Sequence, residues 1–228
     1  MYKLICFDLD DTLWPCMPTI QFAEQALYNW LIEFKPAITQ AYDSEQLREK
    51  RKRLIQQRPE LMHDLSAARK VHLKQLADET ADTDEWVDTA FNVFYEARQK
   101  VNLYEDVLPI LSVLKKNHIL AALTNGNAHI TKTGLSDYFD FQVSAADVLA
   151  SKPDPAMFIS AMHKAGVSPQ QTLHVGDHPV HDIQGARNAG IDSVWLRRFS
   201  QSWDINEPEP EQQFDNLKQF YNWLSDLK

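Results

Sequence analysis

The stretch Leu4-Ile5-Cys6-Phe7-Asp8-Leu9-Asp10-Asp11-Thr12 leaves this chain few architectures to choose from. Leu4 to Phe7 is an unbroken apolar run, and it gives way to three carboxylates and a hydroxyl within five residues. An apolar run without polar alternation suits a strand buried on both faces, as in a parallel sheet. A strand that ends in charge suggests a site at its carboxyl end, where open α/β sheets bind ligands. Alternation puts Asp8 and Asp10 on the same side of an extended backbone. Two carboxylates on one side can hold a divalent cation or divide the roles of nucleophile and acid. The plainer alternative is a polar turn after a buried strand.

Beyond Pro15 the periodicity changes from strand to helix. Phe22, Ala26, Leu27, Trp30, Leu31 and Phe34 recur at helical spacing and predict one apolar stripe, ended by Pro36. Residues 44–58 read as a solvated helix whose basic run, Arg48 to Arg53, is a wet face. Further stripes are Leu65, Ala68, His72 and Leu76, then Trp86, Val87, Ala90, Phe91, Phe94 and Ala97. No strand pattern occurs in this block of roughly 85 residues, enough for a small domain.

The strand period then returns. A helix over Val107 to Leu114 leads to an apolar strand, Ile119 to Leu123, that ends in Thr124-Asn125-Gly126. A short helix and Tyr138-Phe139 precede a third strand near Phe141 to Val143. A helix from Pro155 to Ala165, stopped by Gly166, precedes a fourth strand, Thr172 to Val175, which runs into Gly176-Asp177. A helix from about Asp182 to Ala189, a fifth strand from Ser193 to Leu196, a Pro/Glu-rich linker over 207–213 and an amphipathic helix from Phe214 to Leu227 complete the chain. Strands alternating with helices predict a parallel sheet with right-handed crossovers. The expected architecture is α/β: a Rossmann-like core of residues 1–14 and 102–228, with an all-helical domain of residues 15–101 inserted.

Charge and cysteines narrow the function. A net charge of −9 argues against a general nucleic-acid binder, which needs a basic face. It also means that an anionic substrate must be drawn by local cations against the overall field. Two cysteines, Cys6 and Cys16, exclude a disulfide framework and fit a reducing cytoplasm. No leader pattern and no apolar run of membrane-spanning length is apparent, so no membrane partner is expected. A monomer and a homodimer are both compatible with the sequence.

Polar residues gather after three of the strands: Asp8, Asp10 and Thr12, then Thr124, Asn125 and Gly126, then Gly176, Asp177 and Asp182. A fourth element, Ser151-Lys152-Pro153-Asp154-Pro155, precedes a helix. In a parallel sheet these ends share one edge. Carboxylates, a lysine, a hydroxyl and free amides suit phosphoryl transfer, which needs charge neutralised, phosphorus attacked in line and the leaving oxygen protonated. An oxygen-rich carboxylate site prefers Mg²⁺, with Lys152 as a second cation and Thr124 beside the phosphoryl oxygens. Asp182 could instead cap the helix that follows it. His174, His178 and His181 lie near, but neither their spacing nor the hard oxygen set suggests zinc.

These motifs, Asp8-Leu9-Asp10-Asp11-Thr12-Leu13, Thr124-Asn125-Gly126, Lys152-Pro153 and Gly176-Asp177 with Asp182, resemble in order the haloacid dehalogenase superfamily in its phosphatase branch. Asp11 stands where that family more often has glycine. The resemblance implies a helical cap between the first and second motifs, closing over the carboxyl edge. It implies Asp8 as a nucleophile forming an aspartyl-phosphate, and Asp10 as the acid that protonates the leaving group and later activates water. It implies Mg²⁺ at Asp8, the Asp10 carbonyl and Asp177, with Asp182 in support, and phosphoryl binding by Thr124, Asn125 and Lys152. An acid at Asp10 favours phosphate chemistry, because the dehalogenase branch lacks one there.

Thr124-Asn125-Gly126-Asn127-Ala128, His174-Val175-Gly176-Asp177 and Pro59-Glu60-Leu61-Met62-His63-Asp64 with Arg69 resemble bacterial flavin mononucleotide and ribitylaminouracil phosphate phosphatases. On that reading His63, Asp64, Arg69 and Asn127 select substrate, although His63, Asp64 and Arg69 also suit a helix-surface network and Asn127 a helix cap. The expected enzyme hydrolyses a small phosphate monoester. Nucleotide or sugar phosphatases, a phosphoglucomutase and a catalytically silent regulator are the alternatives.

Overall fold

The computed structural model describes residues 1–199 and 202–227. The chain divides into two compact units, Met1–Pro15 with Asn102–Lys228, and Cys16–Val101.

The first unit is built on a six-stranded parallel sheet. Its strands are β1 (Leu4–Phe7), β2 (Ile119–Thr124), β3 (Phe141–Ser144), β4 (Thr172–Gly176), β5 (Asp192–Leu196) and β6 (Gln213–Phe214). The order β3-β2-β1-β4-β5-β6 puts β1 at the centre. Leu4 aligns with Ile119 on one side and Thr172 on the other; Phe7 aligns with Ala122 and Val175. The order reverses direction at β1, and such a switch point opens a crevice at the carboxyl ends of the strands. All four β1 residues are fully buried. Leu4 and Cys6 face a cluster with Leu123, Met157, Phe158 and Ala161, the last three from α8 (Ala156–Ala165). Phe7 points the other way, edge-on to Phe139 and to Phe220 of α10 (Leu217–Asp226). The remaining helices of this unit are α6 (Val107–Leu114), α7 (Ala145–Val148) and α9 (Gly185–Asn188). Gly166 ends α8 in the left-handed region at φ 65°, open to glycine at little cost.

The sequence reading of this unit needs three corrections. No helix forms between Gly126 and Tyr138. The segment turns instead, with Thr131 and Thr133 β-branched and Gly134 at φ 79°. The segment before α9 winds up earlier than Asp182, as a wide π-type turn over Pro179–Gln184. The expected 207–213 linker ends in β6, an edge strand of two residues on β5.

The second unit holds α1 (Cys16–Phe34), α2 (Pro36–Ala41), α3 (Ser44–Gln57), α4 (Leu65–Glu79) and α5 (Val87–Arg98), with no strand among its described residues. The inward face of α1 is Thr19, Ala23, Leu27 and Leu31, an i, i+4 series; Phe22 and Phe34 are each 53% exposed. The small Ala23 and the branched leucines sit against α5, where Ala90, Phe91 and Phe94 complete the core. Leu65, expected inward, is exposed at the first position of α4, and Leu73 and Ala77 extend the buried face instead. An Asp43–Gln46 capping box starts α3. The basic run on α3 is not wholly solvated either, because Arg51 pairs with Glu24 at 2.7 Å. No helix among the described residues is long and apolar enough to cross a membrane.

Candidate active site at the carboxyl edge of the sheet

A pocket of about 160 Å³ opens at the carboxyl ends of β1, β2 and β4, lined by Asp8, Asp10, Thr124, Lys152, Asp177 and Asp182 among others. Residues up to 174 positions apart in the chain thus meet as the parallel sheet requires.

Lys152 is the hub. Its Nζ donates to Asp8 Oδ1 at 2.6 Å, Asp182 Oδ1 at 2.6 Å and the Leu123 carbonyl at 2.9 Å. The three ammonium protons are therefore all used in a setting that leaves the lysine side chain 1% exposed. Burial opposes its charge, but Asp182 and Asp8 hold it above the ordinary lysine value. Asn125 fixes the lysine from behind. Its Nδ2 donates to the Lys152 carbonyl at 3.0 Å and its Oδ1 accepts from the Lys152 N–H at 2.8 Å. One Nδ2–H and the Oδ1 of that amide thus fix the position of Lys152, while Asn125 itself lines the pocket. The Lys152–Pro153 peptide is cis. Thr124 accepts from the Gly126 N–H at 2.9 Å, which leaves its hydroxyl proton to give.

Asp182 accepts three hydrogen bonds. Oδ1 accepts from Lys152 and from His174 Nε2 at 2.9 Å, and Oδ2 accepts from the His178 N–H at 3.0 Å. Burial would raise its pKa, but Lys152 and the hydrogen bond from His174 hold it far below the carboxylate range. A carboxylate can only accept, so the shared proton resides on His174 Nε2. Burial lowers the His174 pKa, consistent with a neutral ring. His174 was missed as a site residue. The available signal was a polar side chain inside the apolar run of β4, where it is fully buried.

Asp8 differs. Burial pushes its carboxyl well above the ordinary range in spite of Lys152, and Asp182 and Asp177 add to the rise. Its Oδ2 lies 3.3 Å from the Thr12 hydroxyl, which also lies 3.1 Å from Asp177 Oδ1. One hydroxyl proton thus serves two buried carboxylates. Ligand oxygens of Asp8, Asp177 and Asp182 lie within 4.8 Å of one another. Hard carboxylate oxygens crowded together in this way are the donor set a small divalent cation suits. Asp182, which already accepts three hydrogen bonds, fits a supporting part in that set better than a direct one.

Asp10 lines the same pocket and receives the Trp14 indole N–H on Oδ1 at 2.9 Å. Asp11 has φ 60°, the left-handed conformation that glycine adopts freely and that aspartate tolerates better than most residues. Asn127 is half-buried one residue beyond Gly126. His178 and His181 line the pocket rim as a stacked pair, ring centroids 3.9 Å apart.

The specificity candidates of the helical unit are placed within that unit's own framework. Asp64 caps α4 by accepting from the Ala67 N–H at 2.9 Å. Arg69 is 5% exposed, so it is not part of a helix surface; it grips Glu24 at 2.8 and 3.2 Å and lies 3.3 Å over the Phe94 ring. Burial would raise the Glu24 pKa, but Arg69 and Arg51 hold it at about 2. His63 is half-buried at the end of the turn Pro59–His63.

Gly176 is required by close approach. A Cβ there would lie 2.2 Å from Asp182 Cγ, and Asp182 cannot swing aside without leaving Lys152 and His174. Gly176→Ala is therefore expected to cost about 1–3 kcal/mol of stability. It should also slow turnover by about 10²-fold through displacement of Lys152. Urea melts and steady-state kinetics on the purified variant check both, and unchanged turnover would remove Asp182 from the positioning of Lys152.

A larger cavity, about 460 Å³, opens at the opposite ends of the strands beside Tyr2, His118 and Asp192. Its carboxylate, Asp192, is already bonded by the Tyr2 hydroxyl at 2.8 Å. The chemistry-bearing groups are concentrated at the smaller pocket.

The sequence profile of the haloacid dehalogenase-like hydrolases matches residues 2–190. The chain is 31% identical over 208 residues to the 5-amino-6-(5-phospho-D-ribitylamino)uracil phosphatase YigB of Escherichia coli (strain K12), covering 88% of this chain and 87% of that protein. It is 30% identical over 207 residues to the glyceraldehyde 3-phosphate phosphatase of Methanopyrus kandleri, covering 87% and 85%. Among solved structures, one described as a 2-haloacid dehalogenase from Pseudomonas syringae pv. Tomato DC3000 superposes with a TM-score of 0.92, at 38% identity and over 100% of both chains.

Proposed function

The chain belongs to the haloacid dehalogenase-like hydrolases, and we propose that it hydrolyses a small phosphate monoester through an aspartyl-phosphate on Asp8. The observation that carries this reading is the pocket in which Asp8, Asp10, Thr124, Lys152 and Asp177 converge. In the proposed reaction Asp8 attacks phosphorus and Asp10 protonates the departing oxygen. Thr124 donates its hydroxyl proton to a phosphoryl oxygen, and Lys152 sets its positive charge beside the phosphoryl group. Asp10, now a carboxylate, then takes a proton from the water that cleaves the acyl phosphate. Mg²⁺, held by Asp8, Asp177 and the Asp10 carbonyl, would neutralise phosphoryl charge. The carboxylate oxygens of Asp8, Asp177 and Asp182, within 4.8 Å of one another, support a cation there.

The substrate we favour is flavin mononucleotide or ribitylaminouracil phosphate, supported by the likeness to the Escherichia coli phosphatase. The helical unit is assigned the selection of the leaving group, with His63, Asp64 and Arg69 as its candidate residues. A reducing cytoplasm suits the two free thiols, Cys6 and Cys16.

A second reading, haloacid dehalogenation, is favoured by the Pseudomonas syringae structure. Asp10 weighs against it. A halide leaves without a proton, whereas an alkoxide needs one, and a carboxyl two residues beyond the nucleophile in the same pocket supplies it.

The test is phosphate release from flavin mononucleotide, nucleoside monophosphates and sugar phosphates, alongside halide release from 2-chloropropionate, with and without Mg²⁺. Phosphate release that EDTA abolishes and Mg²⁺ restores is expected, strongest on a ribityl phosphate. Halide release without phosphate release would overturn the reading, and retention of phosphate on a sugar product would make the protein a mutase.

A further inference from the structure

We propose that Trp14 is a positioning residue that sets which oxygen of Asp10 carries the catalytic proton. The inference rests on the reading of Asp10 as the general acid and goes beyond it to a side chain that touches no phosphate.

Trp14 is fully buried, and its Nε1–H donates to Asp10 Oδ1 at 2.9 Å. The backbone fixes the partners as well. Asp10 and Trp14 form an isolated β-bridge, the Asp11 N–H donates to the Trp14 carbonyl at 2.7 Å, and the Leu13 N–H donates to the Leu9 carbonyl at 2.8 Å. The two residues are thereby held four positions apart in a closed loop, with Asp10 on the pocket and Trp14 in the core.

An indole N–H can only donate. Oδ1 of Asp10 must therefore offer it a lone pair, whether the carboxyl is protonated or not. The carbonyl oxygen of a carboxyl is a better acceptor than its hydroxyl oxygen, so the indole bond favours Oδ1 as the carbonyl and a proton on Oδ2. During phosphoryl transfer an Asp8 oxygen forms the new bond to phosphorus, and the bond between phosphorus and the ester oxygen breaks. The pair of electrons from that bond goes to the ester oxygen, which takes the Oδ2 proton and departs as an alcohol. Asp10 is left as a carboxylate, with its new charge partly stabilised by the Trp14 N–H. The same hydrogen bond limits rotation of the carboxyl, so the proton is aimed before substrate arrives.

The dependence on leaving group distinguishes this role from simple packing. An alkoxide is a poor leaving group and needs the proton, whereas p-nitrophenolate departs almost without it. Trp14→Phe keeps an aromatic ring and removes the N–H. In the Mg²⁺-loaded full chain, kcat/KM reports the first phosphoryl transfer, so it is the quantity to compare. For the best alkyl phosphate of the panel it should fall about tenfold or more, while for p-nitrophenyl phosphate it changes less than about threefold. Equal losses on both substrates, or no loss on either, would overturn the proposal. Should Trp14→Phe fail to fold, β-(3-benzothienyl)alanine introduced at position 14 gives the same comparison, since it has the shape of tryptophan and no N–H. Wild-type protein that releases no phosphate from either substrate overturns the phosphatase reading itself, and this proposal with it; an active wild type with an unaltered leaving-group profile in the variant overturns only the role of Trp14.

Discussion

Asp8→Asn is expected to lose phosphate release by on the order of 10⁴-fold while the protein stays folded. The amide is nearly the same shape as the carboxylate, so the pocket keeps its volume. Its oxygen can still accept from Lys152, as Asp8 Oδ1 does at 2.6 Å. Its nitrogen can donate toward the Thr12 and Asp177 oxygens, which the wild type crowds around one hydroxyl proton. What is lost is the nucleophile, because an amide oxygen does not form the acyl phosphate.

The stability expectation has the opposite sign. Asp8, Asp177 and Asp182 put three buried carboxylates beside Lys152. Burial lifts the Asp8 pKa in the folded state, so the folded protein holds that proton more tightly than the unfolded chain does. Ionised Asp8 therefore disfavours the fold increasingly as pH rises above the unfolded carboxyl value. Removing that charge should leave the metal-free variant as stable as wild type at pH 7, or more stable by about 1 kcal/mol. Thermal melts in EDTA check this, with added Mg²⁺ expected to raise the wild-type midpoint more than that of Asp8→Asn. A variant with wild-type turnover would remove Asp8 as the nucleophile, and one that unfolds would show that the Asp8–Lys152 pair holds the site together.

The parts of this design that were legible in the sequence are those with local signatures. Strands β1, β2 and β4 are apolar runs that end in polar groups, so both the strand and the side of the sheet on which it does chemistry follow from the run. Asp8, Asp10 and Asp177 were singled out because reactive residue types stand at those ends, and Lys152 because it precedes a helix within the same ordered set; all four line the pocket. Packing partners distant in sequence were not legible. The grip of Asn125 on Lys152 spans 27 positions and that of Arg69 on Glu24 spans 45. Each is set by which elements the fold brings side by side, not by spacing within an element. Helical periodicity likewise identified α1 but misjudged its buried face, because an alanine at position 23 carries little hydrophobic signal yet fits closest to α5. The two-residue β6 gave no run to detect. Asp11 was read as a mild departure from glycine, and its φ of 60° gives the physical reason glycine would suit that position.

Lys152→Met should reduce turnover by on the order of 10³-fold, through loss of a preorganised cation beside the phosphoryl group. It should also destabilise the protein by about 3–5 kcal/mol near pH 8, since it leaves buried carboxylates without their counter-charge. Methionine matches the length of the lysine stem, so a cavity contributes little. The lost interactions are those to Asp8 Oδ1, Asp182 Oδ1 and the Leu123 carbonyl. In the wild type, Lys152 and His174 hold the Asp182 pKa below its unfolded value. A depressed carboxyl contributes stability above the unfolded pKa and loses it as pH falls through the folded one, so wild-type Asp182 stabilises the fold throughout neutral pH. Without the ammonium, burial dominates at both Asp8 and Asp182 and their folded pKa values rise. Raised carboxyls stabilise the folded state relative to the unfolded one as pH falls. The stability gap between Lys152→Met and wild type should therefore be widest near pH 8 and narrow steadily toward pH 5. Urea titrations at several pH values in EDTA measure it directly. A gap independent of pH would mean that the lysine stem, rather than its charge, supports the site, and a gap that widens in acid would contradict the assignment of Lys152 as the counter-ion of Asp8 and Asp182.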